Sequence, residues 1–252
     1  MRSIDAKLAE MRLQQILFAQ GFGSRRECDG LICQGLVQLG DRVLLDGQEE
    51  LEPDGLVLRV QGQDWTCHER AVVLLHKPAG YECSRQPRYH PSVLTLLPPP
   101  LRRRGVQPVG RLDEDTTGLL LLTDDGALIH RLTHPRRHVP KVYEVSTAHP
   151  VDAGQLQRLL AGVVLNDDPA PARAAACEAI GSHHLRLTIS EGRYHQVKRM
   201  VAAAGNRVVG LHRSAFGALS LPVDLAPGQW RWLTDEALAQ LSAAGAVPAA
   251  PG

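Results

Sequence analysis

Between residues 110 and 126 the chain reads Gly110-Arg111-Leu112-Asp113-Glu114-Asp115-Thr116-Thr117-Gly118, then the apolar run Leu119 to Leu122, then the turn Asp124-Asp125-Gly126. A carboxylate-rich turn entered through an arginine and followed at once by an apolar run fits a loop at the edge of a sheet, leading into a buried strand. The strand is expected over Gly118 to Thr123, with Asp124 or Asp125 capping a helix that reaches about Leu132. Such a loop displays a carboxylate, and Asp113 is the candidate nucleophile. An ordinary alternative is that the three carboxylates and the arginine only hydrogen-bond the loop's own backbone. Spacing leaves both readings open.

At 252 residues the chain has room for a small folding unit attached to a larger one. Hydrophobic residues make up 44% and charged residues 22%, an ordinary globular balance that excludes disordered and fibrous classes. No apolar run approaches the roughly 18 residues of a membrane span, and the start, with Asp5 and Glu10, does not read as a secretory signal. A cytoplasmic protein without membrane contact is expected. Five cysteines without a Cys-x-x-Cys pair support neither a disulfide framework nor a zinc site. His130 and His134 have helical spacing but no acidic helper between them, so no metal site is assigned.

The net charge is only +1, yet the charges are segregated. Asp41, Asp46, Glu49, Glu50, Glu52 and Asp54 crowd one stretch, while Arg102-Arg103-Arg104, Arg111, Arg131, Arg136-Arg137 and Lys141 bracket the Asp113 loop. Any one cluster is explained by a solvated face. Clusters around a candidate nucleophile favour a polyanionic substrate, because phosphate contacts need a local positive field.

In chain order, residues 1–10 form a polar extension. Leu13, Ile16 and Leu17 recur at helical spacing and Gly21 ends that helix. Ser24-Arg25-Arg26-Glu27 is a capping box for a second helix, stopped by Gly35. Short strands follow at 36–39, 43–45 and 56–60, with a hairpin signal at Asp46-Gly47. This 11–60 module, with Arg25 and Arg26 at the start of its second helix, resembles the α-L RNA-binding domain of a ribosomal small-subunit protein, tyrosyl-tRNA synthetases and several RNA-modifying enzymes. Residues 61–70 read as a linker. A strand opens at Ala71 to Leu75 and runs into His76-Lys77-Pro78-Ala79-Gly80-Tyr81. Residues 84–108, rich in proline and arginine, are expected to form a long, mostly irregular functional loop. Strands are expected at 141–145, 184–190, 208–211 and 219–221, and helices at 151–161, from His195 to Gly205, and from Thr234. Residues 243–252 read as a loose tail.

Three separated stretches carry a further resemblance: Gly110-Arg111-Leu112-Asp113 with Thr116-Thr117-Gly118-Leu119, Lys141-Val142-Tyr143, and Glu191-Gly192-Arg193-Tyr194-His195-Gln196-Val197-Lys198-Arg199-Met200, preceded by Lys77-Pro78-x-Gly80. In this order the chain resembles the RsuA-type pseudouridine synthases of small-subunit ribosomal RNA over about residues 11–240. The resemblance implies an α+β fold, in which the small N-terminal α-L domain precedes a catalytic domain, 71–242, with a central, mostly antiparallel sheet flanked by helices. It implies cleavage of a uridine's glycosidic bond, rotation of the uracil and rejoining through carbon 5, a reaction that needs no cofactor. Asp113 is then the catalytic carboxylate, either attacking carbon 1′ or helping to remove the 2′ proton. Tyr143 lies against the uracil, and Lys198 stands where the wider superfamily commonly carries an arginine paired with the aspartate. Arg111, Arg193, His195 and Gln196 face RNA or order the site. Arg25, Arg26, Arg102, Arg103, Arg104, Arg136, Arg137 and Lys141 are the expected phosphate contacts. The target base must be flipped out to reach Asp113. The expected partner is ribosomal RNA, 16S ahead of 23S, in a partly assembled small subunit, with the enzyme acting as a monomer. Two other classes stay in view: a hydrolase using Asp113 and Asp115 as an acid and base pair, and a non-catalytic RNA-binding assembly factor.

Overall fold

In the computed structural model, residues 10–242 apart from 167 are described. The expected extension, apart from Glu10, and the expected tail lie outside the described residues. The described residues divide into two units, 10–71 with 97–106 and 72–96 with 107–242.

In the first unit, β1 (Met11–Arg12) pairs with β4 (Glu50–Leu51), and α1 (Leu13–Ala19) and α2 (Arg25–Cys33) pack on each other through Leu13, Ile16, Leu17, Cys28 and Ile32. The α2 capping box forms as its sequence requires: Ser24 Oγ accepts the Glu27 amide at 3.3 Å, and Glu27 Oε2 accepts the Ser24 amide at 2.6 Å. Gly35, at φ +68°, stops the helix. A sheet of order β3–β2–β5–β6 completes the unit, formed by β2 (Val37–Leu39), β3 (Arg42–Val43), β5 (Val57–Val60) and β6 (Gln63–Thr66).

Two expectations fail in this unit. The hairpin is not at Asp46-Gly47: Leu39 pairs with Arg42 across Gly40-Asp41, with Gly40 at φ +59°, while the Asp46 carboxylate accepts the Gln48 amide in a turn that leads toward β4. The 61–70 stretch is not a linker. Gln61 and Gly62 both take positive φ, the two-residue turn that suits a hairpin's twist, and β6 then pairs with β5 and buries Trp65, 8% exposed, with Nε1 donating to Gln20 Oε1. Its polar alternation hid an edge strand. The 84–108 stretch is a little over half irregular, as expected, but it also carries short elements. After a 3₁₀ turn at Val93–Leu96, Pro98 and Pro99 start α3 (Pro99–Arg103), which belongs to the first unit rather than to the catalytic stretch of sequence that surrounds it.

The second unit is built on a sheet of order β13–β14–β10–β15–β9–β7–β17. Its strands are β7 (Val72–Lys77), β9 (Thr117–Thr123), β10 (Lys141–Thr147), β13 (Ala176–Gly181), β14 (His184–Ile189), β15 (Val208–Phe216) and β17 (Trp230–Trp232), with β8 (Gln107–Pro108) beside β9 and β16 (Leu219–Ser220) beside β15. β11 (Val163–Leu165) and β12 (Asp168–Ala172) form a separate pair. The sheet is antiparallel except for β9 against β15. At that junction Gly118, φ +109°, lies so close to β15 that a Cβ would stand 2.2 Å from the Arg213 carbonyl oxygen; only glycine lets the two strands meet.

The alternation of the strands assigns the faces. Val72, Leu74, Leu119 and Leu121 turn to one side and pack with Leu128 and Leu132 of α4 (Gly126–Thr133) and Leu241 of α7 (Asp235–Ser242). Their neighbours Val73, Leu75, Leu120 and Leu122 project to the other face. α5 (Ala153–Ala161) and α6 (Gln196–Ala203) complete the unit. The Asp125 carboxylate caps α4 by accepting the amides of Ala127 and Leu128.

Candidate active site

Lys77 is the last residue of β7 and its side chain is 0% exposed. Its ammonium donates to the carbonyls of Pro78, Glu114 and Thr116 at 3.1, 3.0 and 2.8 Å. Burial lowers its pKa, opposed by the nearby Cys83 and the carboxylates of Glu114, Asp115 and Asp113. The Gly80 amide also donates to the Glu114 carbonyl, and the Leu112 amide to Cys83 Sγ. The 112–116 loop is therefore tied from beneath. Lys77 thus clamps the loop through its carbonyls, while Asp113 and Asp115 also meet partners on another element.

Asp113 meets the N-terminal turn of α6. His195 Nε2 lies 3.2 Å from Asp113 Oδ1 and Lys198 Nζ lies 3.1 Å from Asp113 Oδ2. The same Lys198 ammonium reaches the two oxygens of Asp115 at 2.6 and 2.9 Å. Asp115 thus shares the cation. Burial works to lower the Lys198 pKa, but hydrogen bonds to Asp115 and Asp113 outweigh it and the net shift is upward. For Asp115 burial raises the pKa and the Lys198 contact overrides it, leaving the carboxyl below its usual range. A carboxylate held ionised cannot serve as a general acid, and both aspartates turn to one ammonium. The acid and base pair of a hydrolase is not built here.

His195 comes to Asp113 through an uncommon backbone: φ +47°, ψ +34°, in the left-handed region. Its ring stacks on Tyr194 with centroids 3.8 Å apart. Sequence placed His195 among groups that face RNA or order the site; the structure makes it a direct partner of Asp113. Gln196 is inward, accepting the Arg193 amide and donating to Met200 Sδ, so it shapes the turn. Arg193 is held by Glu191 at 2.7 Å and by the Ala170 carbonyl.

Tyr143, on β10 and 8% exposed, shares with Asp113, Arg111 and Gln196 the lining of a 90 Å³ cavity. Beside it a 500 Å³ pocket takes in Tyr143, Lys141, Arg213 and Phe216. Lys141, half-buried, has its ammonium over the Phe216 ring, and burial, with the nearby Arg213 charge and against Glu191, brings its pKa down to about 8. Asp113 and Lys198 also open onto a broader cleft of 840 Å³, whose lining includes Glu82, Arg88, Tyr89 and His90 as well as Gly192 to His195.

Arg25, Arg26, Arg102, Arg111, Arg136 and Arg137 are exposed. Arg25 lies over the Phe18 ring. Arg103, also exposed, and Arg104 both make contacts within the first unit. Arg103 faces Glu27 at 3.6 Å and donates to the Phe22 carbonyl. Arg104 donates to Gln20 Oε1 and to the carbonyls of His68 and Glu69, each at 2.9 Å. A run of three arginines cannot reveal which of them a short helix turns inward. Among the described residues no cluster of His, Cys, Asp and Glu is placed to hold a metal, and no helix is long and apolar enough to cross a membrane.

Residues 11–57 match the S4 domain and residues 71–203 match RNA pseudouridylate synthase. The fold and site thus define an RNA-modifying isomerase with an RNA-binding module at its N-terminal end. The chain belongs to the RNA pseudouridylate synthase family. It is 40% identical over 243 residues to ribosomal small subunit pseudouridine synthase A of Escherichia coli, covering 92% of this chain and 100% of that one. The protein of the same name from Vibrio cholerae is 38% identical over 92% of this chain and 99% of its own length, and that from Yersinia pestis 48% over 68% and 72%. A solved pseudouridylate synthase superposes with a TM-score of 0.66 at 35% identity, covering 92% of this chain and 99% of that one.

Proposed function

We propose that this enzyme converts a uridine of 16S ribosomal RNA to pseudouridine, with Asp113 as the reacting carboxylate. The observation that carries the reading is the pair of basic side chains, His195 and Lys198, within 3.2 Å of one carboxylate at the edge of a cleft. A group that must attack or assist at a developing cation on the sugar has to be held in place, and His195 and Lys198 hold Asp113 from both of its oxygens. Asp113 either adds to carbon 1′ as the bond to N1 breaks or takes the 2′ proton. The freed uracil turns and rejoins through carbon 5, whose proton is then lost to solvent. Tyr143, sharing a cavity with Asp113, lies against the ring. Lys198 and His195 hold the carboxylate, and Lys77 holds the loop that carries it.

RNA is gripped by exposed cations: Arg111 at the cleft, Arg136 and Arg137 nearby in the sequence, and Arg25, Arg26 and Arg102 on the first unit. Amides at the start of α2 and these guanidiniums suit phosphate. The small-subunit target is supported by the names of relatives aligned over most of both chains. The enzyme acts as a monomer in the cytoplasm, on an assembling particle.

Pseudouridine mapping in ribosomal RNA from a deletion strain tests this. One 16S site should lose its modification and regain it with the wild-type gene. A lost site in 23S RNA would move the target. Unchanged maps together with tight RNA binding would favour the assembly-factor reading.

A further inference from the structure

The segment from Glu82 to His90 has a fixed backbone and a bare outer surface. Its centre is the Glu82 carboxylate, which accepts the amides of Tyr89, His90 and Arg88 at 2.8, 2.9 and 3.1 Å. Those three bonds hold the carboxyl below its usual range. The ends are closed by the Glu82 amide on the Pro91 carbonyl, the Val93 amide on the Glu82 carbonyl, and Ser92 Oγ on the Ser84 carbonyl. The Gln86 amide bonds Ser84 Oγ. Nothing in this framework uses the Tyr89 ring, which is 87% exposed and the most exposed aromatic among the described residues. Arg85 and Arg88 are exposed beside it.

The position of the loop is as telling as its rigidity. Arg88, Tyr89 and His90 line the same 840 Å³ cleft as Asp113, Lys198, Tyr194 and His195. His90 Nε2 approaches Glu114 at 3.9 Å, which sets the loop beside the carboxylate turn. The cleft lining therefore includes two exposed aromatic rings, Tyr89 at 87% and Tyr194 at 68% exposure, together with Arg88 and Arg111. Aromatic faces for bases and guanidiniums for phosphates are what single-stranded or locally opened RNA requires. The two rings differ in one respect: Tyr194 already stacks on His195, whereas Tyr89 is open to solvent.

We propose that Tyr89 is a base-stacking residue, presented ready-made by the Glu82-pinned loop to a nucleobase adjacent to the target uridine. Drawing a uridine out of a stack exposes the faces of its neighbours, and a ring that covers one of them offsets that cost. A pinned loop makes the offset larger, because the backbone has little freedom left to lose on binding and the tyrosine only two side-chain torsions. The proposal rests on the reading of the Asp113 cleft as the uridine site.

The test uses the full-length protein and a small-subunit RNA transcript tritiated at carbon 5 of its uridines. Tyr89→Ala should lower kcat/KM by about tenfold or more, the loss expected for a base–aromatic stack, with an unchanged Tm. Tyr89→Phe should restore it, since the ring and not the hydroxyl does the stacking. Wild-type turnover by Tyr89→Ala, or equal impairment of Tyr89→Ala and Tyr89→Phe, would overturn the proposal. Should the wild-type protein release no tritium, the uridine reading has failed, and the stack is then judged by binding of the same transcript. Equal affinity of wild type and Tyr89→Ala there would overturn it; weaker binding by Tyr89→Ala that Tyr89→Phe restores would support it.

Discussion

Lys198 Nζ stands 2.6 Å from Asp115 Oδ1, closer than the 3.1 Å that separates it from Asp113. One ammonium thus serves two carboxylates, and the second holds the cation in register for the first. Removing the ammonium should cost more than removing the second carboxylate. Lys198→Met is expected to lower the single-turnover rate by about 100-fold or more, and Asp115→Asn by about tenfold, both with near-normal Tm. An Asp115→Asn rate equal to wild type would show that the second carboxylate is idle.

Lys77 gives a prediction of a different kind. Its three carbonyl acceptors lose their donor in Lys77→Met, at about 1–3 kcal/mol for each buried group left unpaired, partly offset because a buried charge is removed as well. The variant should unfold at lower denaturant concentration and lose kcat more than KM, because the loop carrying Asp113 relaxes. Denaturant titration with kinetics checks this; full activity in a destabilised protein would separate the clamp from the chemistry.

The depressed Lys141 pKa of about 8, caused first by burial and then by the Arg213 charge, predicts a pH signature. In the unfolded chain this lysine titrates near the ordinary lysine value of 10.5, so between about pH 8 and 10.5 the unfolded state binds more protons and stability contributed by this group rises with pH. Below pH 8 both states are protonated and the burial penalty is complete. Lys141→Met should therefore be stabilised relative to wild type most at pH 7, and the difference should shrink toward pH 10. Thermal melts across that range read it, and a constant difference would contradict the assignment.

Arg102, exposed, and Arg104, engaged by Gln20, His68 and Glu69, should separate binding from folding. Arg102→Ala is expected to reduce the slope of log binding constant against log salt by about 1, with no change in Tm. Arg104→Ala should lower stability by about 1–3 kcal/mol. Equal salt slopes for Arg102→Ala and wild type would remove that residue from the RNA surface.

Much of this was legible in the sequence because local rules and tertiary structure agree. The Ser24 capping box, the Gly35 stop, the apolar run into β9 and the Asp125 cap each follow from a few adjacent residues. Asp113 and its α6 neighbours could be singled out as candidates because each stands in a contiguous motif. What escaped depends on contacts between distant parts of the chain. β6 is polar on one side and hid as a linker; β17 is only Trp230–Trp232 at an edge. The α3 segment leaves the sequence of one unit to pack in the other, which no local pattern announces. Asp115 was missed because a charged residue in a carboxylate-rich loop looks the same whether it faces water or a lysine 83 positions away. Tyr89 had no periodicity to mark it, and its exposure is visible only in three dimensions.

The most direct measurement is tritium release from carbon 5 of uridine in small-subunit RNA by Asp113→Asn. Substitution by the neutral isostere leaves the shape of the cleft and removes the charge that Lys198 and His195 hold. Release is expected to fall by on the order of 10³-fold or more, with RNA affinity within a few-fold of wild type. Release by Asp113→Asn at the wild-type rate would contradict the account and place the chemistry on another group.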